Sequence, residues 1–418
     1  MKFSTAITLL LLCLLPGKFL IVTLPYYGMS WMSSMILSFE TFLLAACIYF
    51  ALKYHHQASV GKTFKYFLVF YAVYHLFTFY QIFVSPAMHR NIMADVPLSR
   101  SVLYRDFYIQ TISVLLVGMY RKYINFDMLA KITPIVVFFL FFIYYSKVGF
   151  TSYGIIDLED SSIAKEEGYI VSFTLARFFA VAFFCHLAFG QNLFRDKDLS
   201  EMAFYIIGLI LVVGLFLTVK RGPVMSLLFT CLYCYYIRTN NSRLVVSVVV
   251  SAIVIFLFGN VFLDFAERNA SGLVERFLNI SRDGGSGRFG DSNSVFAVSL
   301  KQIAESPWFG SYFRILTGHD RGGYPHNFFL EMLMTFGFVI TCAFVPLFIR
   351  GIKLANQLLK SGGSQALSAM CFLYVFCALM TSSSVFLKLE FWLFLSIVCS
   401  YNLNSKSGSS GDPSRISS

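Results

Sequence analysis

Two short constellations in this sequence join ionisable groups to residues that start helices. The first is Lys220-Arg221-Gly222-Pro223, between two apolar runs. Proline favours the first helical position, so the spacing predicts a helix beginning at Gly222 or Pro223. The free amides and positive end of that helix then lie beside two fixed cations, a combination suited to an anion. The plainer reading is a basic turn at a membrane interface. The second is Tyr324-Pro325-His326-Asn327, directly before the apolar run FFLEMLMTFGFVITCAFVPLF. Pro325 again predicts a helix start. The positive helix end disfavours an imidazolium, so His326 is expected to be neutral at about pH 7 and able to accept a hydroxyl proton. Asn327 and Glu331 are four apart and share a face, where Glu331 can orient a neighbour or pair with an arginine. The plainer reading here is a histidine capping an interfacial helix.

Arg177 stands alone, within the apolar stretch VSFTLARFFAVAFF. An ionisable residue inside a span is a functional candidate, unless it pairs structurally with a carboxylate such as Glu40. His186, nine residues on, falls about 180° around a helix and does not share the Arg177 face. Gly284-Gly285-Ser286-Gly287-Arg288-Phe289-Gly290 is glycine-rich but lacks the ending of a nucleotide-binding P-loop. Its glycines instead let the chain bend and bring Arg288 close to a ligand. His319, Asp320 and His326 match no metal-ligand spacing. Cys231-x-x-Cys234 sits in an apolar span with no second pair nearby, so it reads as packing rather than a metal or redox motif.

The elements that position these groups are set by composition. Of 418 residues, 57% are hydrophobic and 13% charged, against about 45–50% and about 25% in soluble domains. A hydrocarbon core about 30 Å thick takes about 20 apolar residues per helix. The expected fold is an all-α polytopic membrane protein. Apolar runs place about twelve transmembrane helices, near 4–24, 30–52, 64–86, 101–119, 132–149, 169–190, 202–219, 223–238, 244–262, 326–349, 366–385 and 388–402. The count falls to eleven if the first run is a signal peptide. The resulting plan is helices over 1–262, a large outer loop over 263–325, helices over 326–403 and a disordered tail over 404–418. Within the loop, VFAVSLKQIAESPWFG predicts a short amphipathic helix.

The net charge of +11 is spread between apolar runs rather than gathered on a soluble face, which excludes nucleic acid as partner. One set of short loops holds Lys53, Lys62, Lys65, Arg121, Lys122, Lys131, Arg195, Lys197, Arg238, Arg243, Arg350, Lys353 and Lys360. Basic loops stay in the cytoplasm. Both termini are therefore expected inside, with 150–168 and 263–325 outside. All nine cysteines fall in apolar runs, so no disulfide is expected.

Taken in order, the motifs resemble those of the bacterial O-antigen polymerase and O-antigen ligase superfamily, over roughly 200–345. That family has a basic turn of S-R-G type, a G-R pair, an E-N-P-L-F-G-like segment and an H-N-x-F-L-E stretch. Here these are Lys220-Arg221-Gly222, Gly287-Arg288, Glu305-Ser306-Pro307-Trp308-Phe309-Gly310 and His326-Asn327-Phe328-Phe329-Leu330-Glu331, followed by Gly337. The His326 block is the most specific. Lys220 replaces the usual serine, and Phe296 lies where a tryptophan is frequent.

The resemblance implies a metal-independent, cofactor-free glycosyltransferase of the bacterial inner membrane with a periplasmic active site. Its donor would be an oligosaccharide on undecaprenyl pyrophosphate. Arg221 and Arg288 would hold the pyrophosphate, with Arg177 as a third cation, and His326 would be the general base. Lys220, Asn327, Glu331 and Tyr324 would complete substrate binding. A polymerase is preferred over a ligase acting on lipid A core. Membrane lipids, a chain-length regulator and a flippase would be the partners. The rival from another class is a polysaccharide flippase.

Overall fold

The computed structural model describes residues 2–17, 30–58, 60–83, 111–148, 175–188, 198–217, 221–239, 294–311, 315–317, 324–381 and 389–401. Among these the regular structure is helical throughout, without a strand. In chain order the helices are α1 (Phe3–Leu12, continued as a π-helical turn over Cys13–Gly17), α2 (Ser30–Lys53), α3 (Lys62–Phe83) and α4 (111–119). They continue as α5 (Phe126–Val148), α6 (Leu175–Ala188), α7 (Asp198–Leu217) and α8 (Arg221–Arg238). The last four are α9 (Val295–Glu305), α10 (Phe328–Ser361), α11 (Gly363–Thr381) and α12 (Leu389–Cys399). Each expected apolar run within the described residues meets a helix, and the amphipathic loop helix appears as α9. The run near 244–262, the 150–168 segment and the 404–418 tail lie outside the described residues.

Among the described residues, two helical stretches are long and apolar enough to cross a bilayer, Trp31–Lys53 and Phe328–Ser361. The second does not cross as one rod, and here the expected single span near 326–349 is corrected. Gly337 has φ 67° and ψ −172°, outside helical space. Sixteen residues of continuous helix would hold Phe328 and Phe344 about 24 Å apart. Their ring centroids are 5.3 Å apart, and Phe328 also lies 6.3 Å from Phe348. The chain therefore folds back at Gly337 into two antiparallel arms, α10a (328–336) and α10b (338–361). The 24-residue second arm is long enough for a bilayer by itself.

Main-chain contacts fix how the arms meet the turn after α9. Phe338 N donates to Pro307 O (2.8 Å), Val339 N to Trp308 O (3.2 Å) and Ser311 N to Met334 O (3.2 Å). Groups freed by the break in the helix are thus taken up by the turn after α9, as a low-dielectric surrounding demands.

Aromatic packing sets the rest of the frame. Phe328 contacts Phe344 and Phe348 of α10b, Phe376 of α11 and Phe391 of α12. Trp392 of α12 meets Phe70, Tyr71 and Tyr74 of α3, and Tyr74 meets Phe336 of α10a.

At one end of the bundle, Phe3 stacks with Phe50 and Tyr54, and Tyr120 donates to Ala51 O. Arg121 lies 3.5 Å over the Tyr401 ring, and Arg238 Nε donates to Leu359 O. Lys53, Arg121, Arg238 and Lys360 therefore gather at one end, together with the start of α1 and the end of α12. Arg350, beside Tyr66, lies on the same side. This grouping matches the basic loops that the sequence assigns to one side.

The Phe328 cluster supplies a test of the folded-back arm. Phe328→Ala should cost about 3–5 kcal/mol by leaving a cavity, seen as a lower Tm in detergent. Phe328→Leu should lose much less. Equal Tm values for Phe328→Ala and the parent would contradict the packing.

Candidate functional site

α10a begins later than the proline predicts. Pro325 precedes the helix, and the cap is Asn327, whose Oδ1 accepts from Phe329 N and Leu330 N, both at 3.1 Å. The reason is His326. Its φ of 51° is left-handed, which no helical residue adopts, so the helix cannot start before it. A non-glycine residue held there costs about 1–3 kcal/mol and is a feature of functional sites. Tyr324 packs edge-on against the His326 ring with centroids 4.5 Å apart. Asn327 therefore has a structural duty the sequence reading did not assign it.

Because α10a folds back, its start lies beside Phe344 and Phe348. A nine-residue helix rises about 13 Å, so His326 stands about that far from the Gly337 turn along the bundle. Glu331, one turn along, is fully buried with its amide donating to Asn327 O at 2.9 Å. It lies within electrostatic reach of Tyr74 on α3.

Arg177 is 5% exposed on α6. Helix register places it near the end opposite the basic cluster. Phe179 lies against Gly214 of α7 and His186 against Gly208, so α6 and α7 run antiparallel. α7 ends at Leu217, four residues before α8 opens at Arg221. α8 ends at Arg238, in the basic cluster, so Arg221 is at the far end with Arg177. Tyr374 of α11, 5.7 Å from Phe184 by ring centroids, is within electrostatic reach of both Arg177 and Glu390. Glu40, the carboxylate the sequence offered as partner, is buried on α2 within electrostatic reach of Cys13.

Tyr374 and Phe376 are two residues apart, about 200° around α11. Tyr374 faces the Arg177 side, and Phe376 faces Phe328. α11 thus stands between α6 and α10a at this level. The structure brings Tyr324, His326, Asn327 and Glu331 together and sets Arg177 across α11 from them. The side chain of Arg221, and Lys220 and Arg288 entirely, lie outside the described residues. All nine cysteines are unbridged, and Cys231 and Cys234 share α8.

Sequence reasoning passed over Glu390 and Tyr374, and it treated Gly310 and Gly337 only as motif letters. An isolated glycine inside the apolar run, which costs about 1 kcal/mol against alanine in a helix, was the available signal for the break.

Two pairs of variants test this geometry. Asn327→Ala should destabilise by about 1 kcal/mol while Asn327→Ser keeps most of the cap, read as Tm in detergent. His326→Gly should be more stable than His326→Ala by about 1 kcal/mol, since glycine accepts positive φ without strain. Equal stability of the two would remove the strained backbone.

Residues 206–345 match the family model described as O-Antigen ligase. No curated protein matches the chain. The matched stretch is about a third of the sequence. It runs from α7 into α10b and encloses Arg221, Arg288 and the His326–Glu331 block. Over this stretch the chain is similar to the O-antigen ligase family.

Proposed function

We propose that this protein is a membrane-embedded glycosyltransferase that polymerises a surface polysaccharide from units carried on undecaprenyl pyrophosphate. The observation that carries the reading is the family match over 206–345, which spans the three motifs that the chemistry needs. The glycan's anomeric C1–O bond to the pyrophosphate breaks, and a new C1–O bond forms to a hydroxyl of the acceptor unit. The hydroxyl proton passes to the His326 imidazole, and undecaprenyl pyrophosphate leaves with the bonding electron pair. Attack from the opposite face inverts the anomeric centre. His326 fits the role of base because it stands at the positive end of α10a, which favours the neutral ring.

Arg221 and Arg288 bind the pyrophosphate. A planar guanidinium pairs with two phosphate oxygens, and its charge offsets the charge that grows as the bond breaks. Arg177, at the same end of the bundle as Arg221, is the third cation, and Lys220 adds to the field. Tyr324 packs against the imidazole and, with the Asn327 amide, meets the sugars, while Glu331 orients the half-helix. Gathering of the basic residues at one end supports a cytoplasmic side there, with both termini, and a periplasmic site at the other. The enzyme family of the match favours this over a flippase. Its description as a ligase favours, as second reading, transfer of the finished glycan to lipid A core.

Arg221→Ala, Arg288→Ala and His326→Ala should each abolish chain extension in membranes that retain the protein. Arg288→Lys should be impaired as well, since lysine lacks the forked contact. Long-chain glycan at parental levels in all three alanine variants would defeat the mechanism. A deletion strain separates the two enzymes: a core carrying one repeat marks lost polymerisation, and a bare core with accumulated polyprenyl-linked polymer marks lost ligation.

A further inference from the structure

The fold-back of α10 is held by an unusual contact. Gly310 has φ 63° and Gly337 φ 67°. A Cβ built on Gly310 would strike the Thr335–Phe336 peptide, and one on Gly337 would strike the Trp308–Phe309 peptide. Each glycine is thus pressed against the backbone beside the other. Each is required twice over, by its positive φ and by the absence of room. Gly310 N donates to Ser306 O at 3.0 Å, and Ser306 Oγ donates back to Gly310 O at 3.1 Å, which closes the turn. Together with the three hydrogen bonds from the turn to α10, this makes a main-chain interlock.

Two rigid arms leave the interlock. α9 is anchored by its Ser294 cap and by Val295 and Val298 packing on Ile315, and Gln302 Oε1 accepts from Leu316 N at 3.1 Å. The other arm is α10a, with His326 at its far end. The phenylalanine cluster around Phe328 holds α10a against α10b, α11 and α12, but ring packing tolerates small slides. Main-chain hydrogen bonds do not, since they weaken steeply with misalignment.

We propose that Gly310 and Gly337 are positioning residues for the reaction: their interlock sets the register of α10a and so the place of His326 relative to the outer loop. Neither glycine touches substrate. The activity arm of the test rests on the catalytic reading of His326; the labelling arm does not.

The full-length protein in membranes is compared with Gly310→Ala and Gly337→Ala, with abundance and Tm measured alongside. A displacement of about 1 Å at a reacting group can lower turnover about 100-fold, so kcat for chain extension should fall by about that factor while KM for the lipid-linked donor holds. Trp308→Ala, which removes an exposed side chain and leaves the main-chain contacts, should extend chains at the parental rate. Independently of activity, His326→Cys in a Cys342→Ser background is labelled with a membrane-impermeant maleimide, with and without each glycine substitution. A changed labelling rate together with the kcat loss supports the proposal. An unchanged labelling rate overturns it, as does loss of donor KM with kcat intact. A changed rate with full chain extension keeps the interlock and removes His326 from the catalytic step.

Discussion

A peptide group shut away from water must find its hydrogen-bond partner within the protein. A helix can break in such a place only if another stretch of backbone satisfies what the break exposes. In this protein the partner is the turn at Pro307, Trp308 and Ser311, and the break is Gly337. Much of the described site depends on that exchange. Without it α10 would run straight, and Phe328 would leave the aromatic cluster. His326 would stand at the end of a long rod rather than beside α10b.

The same exchange explains why the half-helix needs so careful a start. A helix beginning inside a bundle has orphan amides with no solvent nearby. Asn327 answers two of them, at Phe329 and Leu330. Placing that cap requires the chain to turn sharply just before it, and the turn falls on His326. The backbone strain at the imidazole thus follows from geometry imposed at both ends of α10a. Glu331, next in line, is buried near Tyr74, so the arm is polar at its start and held among aromatic rings along its length.

Hydrophobic runs made the helices legible, since each must bury or present an apolar stripe of known length. The amphipathic character of 295–305 likewise survived into α9, because its period is local. Depth was not legible. FFLEMLMTFGFVITCAFVPLF has one hydropathy from end to end, whether it crosses a membrane once or doubles back. Only a long-range contact, Gly337 against Trp308 and Phe309, decides between the two. Pro325 misled for a related reason: proline permits a helix start but does not compel one, and the backbone at His326 prevented it. Arg177 was legible as a costly charge. That it stands within reach of Tyr374 depends on which helices adjoin, which one sequence does not reveal.

Trp308, Phe309, Phe338 and Val339 flank the two glycines with their side chains 67%, 57%, 44% and 47% exposed. The joint is made from main-chain atoms, so it is indifferent to what those four side chains are. The rim of this region can therefore change its side chains while its skeleton stays put. Frame and facing are separable here, which lets recognition drift without mechanical consequence.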